Sequence, residues 1–241
     1  MIARIGEAAA VTFAGGALAG VTWSLVGLGW PAAVVGGLNG LVSGWRGTYG
    51  WRTGRGVMAM ALDSTWAAPM TVSALVAHVA ALFAPARGGY VRVLSERQDR
   101  HVYAGGLRLR RRFVIALGNT VNNAGPDVAT SVRRRRLVLD HEDLHVWQAR
   151  WFGPLYPLAY VGWMVVMGPV GAVVWLLRRP RRAALFSVAE TFAYYMNPFE
   201  WWAYSREGKW PPAGMVRGLG WRRPMVRPVN REPAAPPAAP G

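Results

Sequence analysis

The sequence predicts a mainly α membrane protein with a small β element: an N-terminal glycine-rich helical hairpin followed by an α+β unit. Three observations carry that expectation. Long runs are free of charge, and apolar residues make up 52% of the 241 positions. The 13 tryptophans cluster beside those runs, as aromatic side chains do at a lipid–water boundary. One stretch, 88–129, changes to β-branched and aromatic residues at a period near two.

Composition also excludes. There is no cysteine, so neither disulfides nor thiolate ligation is available, and any transition-metal site must use histidine and carboxylate. The formal charge is +16, nearly all from arginine. The runs "RRR" (110–112), "RRRR" (133–136) and "RRPRR" (178–182) lack the interleaved aromatics of a single-strand groove and match no groove-reading motif. Beside apolar segments they read as topology signals and as contacts for anionic membrane lipids, with no nucleic acid expected.

In chain order, residues 8–29 carry no charge and are long enough to cross about 30 Å of hydrocarbon. The segment 31–44 follows after one Trp, and Pro31 with the tight spacing predicts a hairpin. Gly16 and Gly20, then Gly36, Gly40 and Gly44, recur every four residues, the interval that lets helix backbones approach closely in lipid. The hairpin and its basic loop span 1–56, and they offer a surface for a homo-oligomer. Glu7 and the immediate second apolar run argue against a cleavable signal peptide, although "ALA" at 17–19 fits a cleavage site. A third apolar helix, 57–87, contains Asp63, Ser64, Thr65 and His78, so it is not a clean lipid-facing segment. Strands are expected over 88–120 in "YVRVLSE", "HVYAGGLRLRR" and "FVIALGN", with a turn at Gly105-Gly106. A helix over 131–151 ends at Gly153 and Pro154. The apolar segment 154–177 is interrupted by "MGPVG" (167–171). Helices over 183–207 follow, and then a basic, Pro-rich tail, 211–241, whose last residues lack the composition for a packed core.

The 131–151 helix carries "HEDLH". A four-residue interval sets His141 and His145 on one side of a helix, one turn apart, where both can meet one Zn²⁺. Glu142, about 100° round the helix, is placed to act as general base toward a water that zinc has acidified. A third ligand is required. Trp151 stands where the compact histidine spacing would need another imidazole, so a downstream carboxylate is expected. Glu200 is the first choice and Glu190 the second. "NPFEWWAY" also has a simpler explanation: Asn197 as N-cap, Pro198 as first helical residue and Glu200 closing a capping box.

HExxH on one helix and a Glu on a later one resemble the gluzincin class of zinc metallopeptidases. "HEDLHVWQ" extends the motif with Gln148, and "NPFEWWAY" looks like an Asn-Pro-x-Glu-x-x-Ala second motif. The order of parts resembles the membrane-embedded CAAX-protease and heat-shock-protease branch, and the whole chain looks like an actinobacterial membrane-protein family. The motif resemblance covers about 110–207, within a minimal gluzincin-like unit over 88–210. It implies His141, His145 and Glu200 as ligands and Glu142 as base. Two departures stand out: Tyr204 replaces the usual Asp after Ala203, and Asp143 fills the first variable position.

If the three ligands share one ion they lie on one side of the membrane, so 154–177 must cross an even number of times or not at all. As one helix it measures about 36 Å, and a single span would separate the ligands. A re-entrant hairpin broken at 167–169 is therefore expected, with arginine-rich flanks on both sides placing the site toward the cytoplasm of a bacterial plasma membrane. The expected function is a membrane-bound zinc metallopeptidase acting on a peptide or protein, with a strand near 113–117 pairing with the substrate. Tyr204, Tyr194 and Arg206 are candidate oxyanion donors. The alternative is a non-enzymatic membrane scaffold or lipid-binding protein with a structural or vestigial metal site.

Overall fold

The computed structural model describes residues 2–84, 89–108, 113–178 and 183–229. The arginines at 110–112, those at 179–182 and the chain end 230–241 lie outside these residues, so the expectations for the run 110–112, for the run 178–182 beyond Arg178 and for an unpacked tail end fall on positions not described. Among the described residues the chain divides into two compact units, 2–154 and 155–229.

The first unit opens with two helices, α1 (Ile2–Ser24) and α2 (Gly29–Arg46). Their glycines explain the close pairing. A Cβ at Gly44 would stand 2.7 Å from Ala8 Cα, one at Gly15 would stand 2.7 Å from Gly36 O, and one at Gly40 would stand 2.7 Å from the Val11 carbonyl carbon. The four-residue repeat is thus spent within the hairpin, backbone against backbone. The third apolar segment is two helices rather than one. α3 (Gly54–Ser64) and α4 (Ala68–Leu82) meet at 91°. The bend falls at the polar triplet Asp63-Ser64-Thr65, where the Asp63 carbonyl accepts Thr71 Oγ1 at 2.7 Å.

Three short strands follow: β1 (His101–Val102), β2 (Ile115–Leu117) and β3 (Thr120–Asn122), in the order β1-β3-β2. β1 runs parallel and β2 antiparallel to β3. "YVRVLSE" is not a strand; it makes one bridge, Tyr90 to Tyr103, and a 3₁₀ turn, Arg92–Leu94. Leu94, Val102, Val121, Val138 and Val146 form the core that joins this sheet to the following helix. That helix begins at the Ser131 N-cap as α5 (Val132–Arg136), widens into a π-helical stretch (Leu137–Glu142) and continues as α6 (Asp143–Phe152).

In the second unit, α7 (Leu155–Arg178) is one unbroken helix with Pro169 inside it. The interruption expected at 167–171 is therefore absent. Gly171 there serves packing: a Cβ on it would stand 2.8 Å from Ala189 Cα and 3.0 Å from Val188 O. It lets α8 (Leu185–Glu190) and a π-helical turn (Thr191–Tyr195) pack against α7. Three hydrogen bonds show the chain returning along α7. Trp175 Nε1 donates to Ala183 O (2.8 Å), Trp163 Nε1 to Phe192 O (3.1 Å) and Asn197 Nδ2 to Tyr160 O (3.2 Å). The last helix, α9 (Pro198–Glu207), is overlaid by 209–229, with Trp221 stacked on Trp201 at 4.8 Å. Two described helices, α1 and α7, are long and apolar enough to cross a membrane, and the α3–α4 pair would add a third if counted as one broken span.

Two outcomes are expected. Gly40→Ala should destabilise detergent-solubilised protein by about 1–3 kcal/mol, whereas Gly37→Ala, whose Cβ would have 3.8 Å to its nearest neighbour, should be neutral or stabilising by about 0.5–1 kcal/mol; thermal denaturation decides. His101 is fully buried, and burial first, then His78 and the Arg46 charge, hold its pKa well below 6.5. The native state thus excludes a proton that the unfolded chain accepts, and stability should fall as pH drops below 6.5. Melting curves between pH 7.5 and 5 should show a smaller loss in His101→Asn.

Candidate metal centre

Residues 143–150 of α6 are all buried, so its polar side chains need partners inside the protein. Arg150 donates from Nε and Nη2 to the two oxygens of Asp63 at 2.8 and 2.9 Å, and from Nη2 to Asp99 O at 2.6 Å. Asp63 also accepts from Tyr49 Oη (2.9 Å) and Asn119 Nδ2 (3.2 Å). Asp143 is held by Arg100 and by Arg55, whose Nη2 lies at 2.9 Å. The departure in the first variable position of HExxH is thus an anchor that fixes α6 to the scaffold.

The π-helical stretch places His141 and Glu142 just ahead of α6. Asp143 N donates back to Val138 O, a five-residue step, which widens the helix by one residue where the first imidazole leaves it. His141 is 3% exposed, Glu142 4% and His145 7%. The two imidazoles present Nε2 to each other at 3.2 Å. His145 Nδ1 lies 2.8 Å from Gln148 Oε1, so Nδ1–H donates to the amide oxygen and Nε2 keeps its lone pair. A gap of this size is bridged by an N–H of one ring donating to the other or by a shared cation. Tetrahedral zinc with nitrogen ligands at 2.0–2.1 Å separates them by about 3.3 Å.

Glu200 is the third residue of α9. Asn197 is the N-cap, its Oδ1 accepting Phe199 N at 3.1 Å, and Pro198 follows it. The capping reading therefore holds for Asn197, while Glu200 Oε1 accepts the Tyr160 hydroxyl at 2.7 Å. Burial first, then the Glu200 charge, push the hydroxyls of Tyr194 and Tyr204 above the ordinary tyrosine range, so both stay protonated. Arg206 lies in the last turn of α9, where its carbonyl accepts Val229 N at 3.0 Å.

His141, His145 and Glu200, all buried, each offer a ligand atom, and these atoms lie within 4.8 Å of one another. No other such group of three occurs among the described residues. Glu190, the second choice, is exposed and outside the group. The donor set, two imidazoles and a carboxylate, fits a divalent transition ion with a position left open for water or substrate.

Sequence reasoning missed Tyr160, Arg100 and Arg150, and it noted Asp63 without giving it a partner. Each left a signal: a hydroxyl or charge inside an apolar or motif-bearing stretch needs a buried partner.

No protein-family model matches the chain, and no curated protein and no solved structure matches it.

Purified protein loaded with zinc and desalted should retain about one equivalent. His145→Ala and Glu200→Ala should lose it, and Glu190→Ala should keep it. Tyr160→Phe, which removes the hydrogen bond to the Glu200 carboxylate, should weaken affinity about 10–100-fold; elemental analysis and competition with a chromogenic chelator read all four.

Proposed function

We propose that this chain is a membrane-bound zinc metallopeptidase. The observation that carries the reading is the convergence of His141, His145 and Glu200 with Glu142 buried directly beside the first imidazole. Those three residues would hold the ion, which supplies Lewis acidity at the site when bound. Glu142 takes the proton of the attacking water and returns it to the departing amine nitrogen, so that one carboxylate serves as base and then as acid. Gln148 keeps His145 in the tautomer whose Nε2 can ligate. Tyr160 holds one oxygen of Glu200, fixing the ligand without removing its charge. Tyr194 and Tyr204, both kept protonated, are hydroxyl donors beside Glu200 suited to developing negative charge.

β2 supports the substrate class. Among the described residues it is an edge strand, paired with β3 alone, and it packs on α6. An extended peptide can add to such an edge through main-chain hydrogen bonds. Arginine-rich flanks on either side of α7 favour a cytoplasmic site. The return of α8 and the following π-helical turn along α7 supports this too: Glu200 comes back to Tyr160, near the end from which α7 departs.

The test compares wild type with Glu142→Gln in proteoliposomes on a quenched-fluorescent peptide library. Metal content should be equal, while cleavage should fall at least about 100-fold. Equal cleavage by both, or none by either with metal bound, would leave the scaffold reading in its place.

A further inference from the structure

A pocket of about 330 Å³ in the first unit, apart from the metal ligands, is lined by Arg4, Trp45, Arg46, Tyr90 and Arg92. Its volume lies at the lower end of the range for small-ligand sites. Arg46 is held rigidly there. Its guanidinium lies 4.1 Å above the Tyr90 ring centroid and 5.4 Å from that of Tyr103, and it donates to the Tyr103 hydroxyl. Those rings are themselves fixed: Tyr103 Oη lies 2.7 Å from His78 Nδ1, and Tyr90 Oη lies 3.2 Å from His101 Nδ1. No carboxylate among the described residues pairs with Arg46.

Its neighbours are only partly neutralised. Glu96 is shared by Arg4 and Arg92, and Glu7 is shared by Arg4, at 3.5 Å, and Arg97. Four guanidiniums therefore have two carboxylates. Arg4 packs directly on the backbone of Gly47, the left-handed C-cap of α2, where the carbonyl end of a helix favours a cation. A preorganised guanidinium with two flexible ones beside it is suited to an oxyanion with several acceptor oxygens, and phosphate meets guanidinium bidentately.

The surroundings indicate the source of that phosphate. Arg4 sits in the first turn of α1, one of the two helices apolar enough to cross a membrane. Ile2, Ile5, Leu41 and Trp45, at the same end of the hairpin, are exposed. If α1 crosses a bilayer, the pocket stands at headgroup depth with acyl chains beside it, and an exposed Trp at that level is typical of the interface. We infer that Arg4, Arg46 and Arg92 form a specific binding site for the phosphate of an anionic phospholipid headgroup.

The test titrates protein in non-ionic detergent with short-chain phosphatidylglycerol, short-chain phosphatidylcholine or inorganic phosphate, using calorimetry. The expected result is binding of phosphatidylglycerol at least about tenfold tighter than phosphatidylcholine, weakened about tenfold by Arg46→Gln and by Arg92→Gln. Arg92 is largely exposed, so its variant keeps the fold if Arg46→Gln does not, and an unchanged melting midpoint and zinc content verify this. Arginine-dependent binding of inorganic phosphate with no preference between the lipids would keep the phosphate site and assign it to a soluble ligand. Equal affinity for both lipids with no phosphate binding, or phosphatidylglycerol binding untouched by both variants, would overturn the proposal.

Discussion

The ion pair between Arg150 and Asp63, 1% and 3% exposed in their side chains, is the contact on which the first unit depends. Taking two charges out of water costs several kcal/mol per ion, and only dense hydrogen bonding offsets it. That bonding comes from Tyr49, Asn119 and the Asp99 carbonyl. The same pair has two structural consequences. It places a charge at the end of α3, where an apolar segment turns through 91° instead of continuing as one helix. It also fixes α6 from its C-terminal side while Asp143, held by Arg55 and Arg100, fixes the other end.

A helix clamped at both ends holds a pair of imidazoles in a fixed mutual geometry. His141 and His145 face each other through nitrogen atoms 3.2 Å apart, and Gln148 sets which tautomer His145 adopts. On the other side of the problem, a carboxylate 55 positions downstream of His145 must return from the far end of a 24-residue helix. The second unit solves this within itself. α8 and its π-helical turn run back along α7, and Asn197 and Glu200 both bond Tyr160.

Much of this was legible in the residues. The spacing of His141 and His145, Ser131 and Gly153 at the helix ends, Asn197 as a cap and the strands in "HVYAGG" and "FVIALGN" follow from local chemistry, whereas "YVRVLSE" forms no strand and β3 lies beyond the expected stretches. The misreadings came from contacts distant in sequence. "MGPVG" reads as a break because Pro169 lacks an N–H, yet in an apolar helix the lost bond is tolerated, and Gly171 is needed for the approach of Ala189. Asp143 read as a departure from a motif because its partners lie 88 and 43 positions away. Tyr160 was hidden among apolar residues, its acceptor 40 positions downstream. The glycine repeat is a packing signal, and it joins α1 and α2 of the same chain.

The central claim is that two imidazoles and one carboxylate from remote parts of the chain hold a single ion. X-ray absorption at the zinc edge of the loaded, membrane-reconstituted protein tests it directly. The account predicts a four- or five-coordinate N/O shell near 2.0–2.1 Å with outer-shell scattering from two imidazole rings, reduced to one in His145→Ala. An all-oxygen shell without imidazole scattering, or a spectrum identical in that variant, would contradict it.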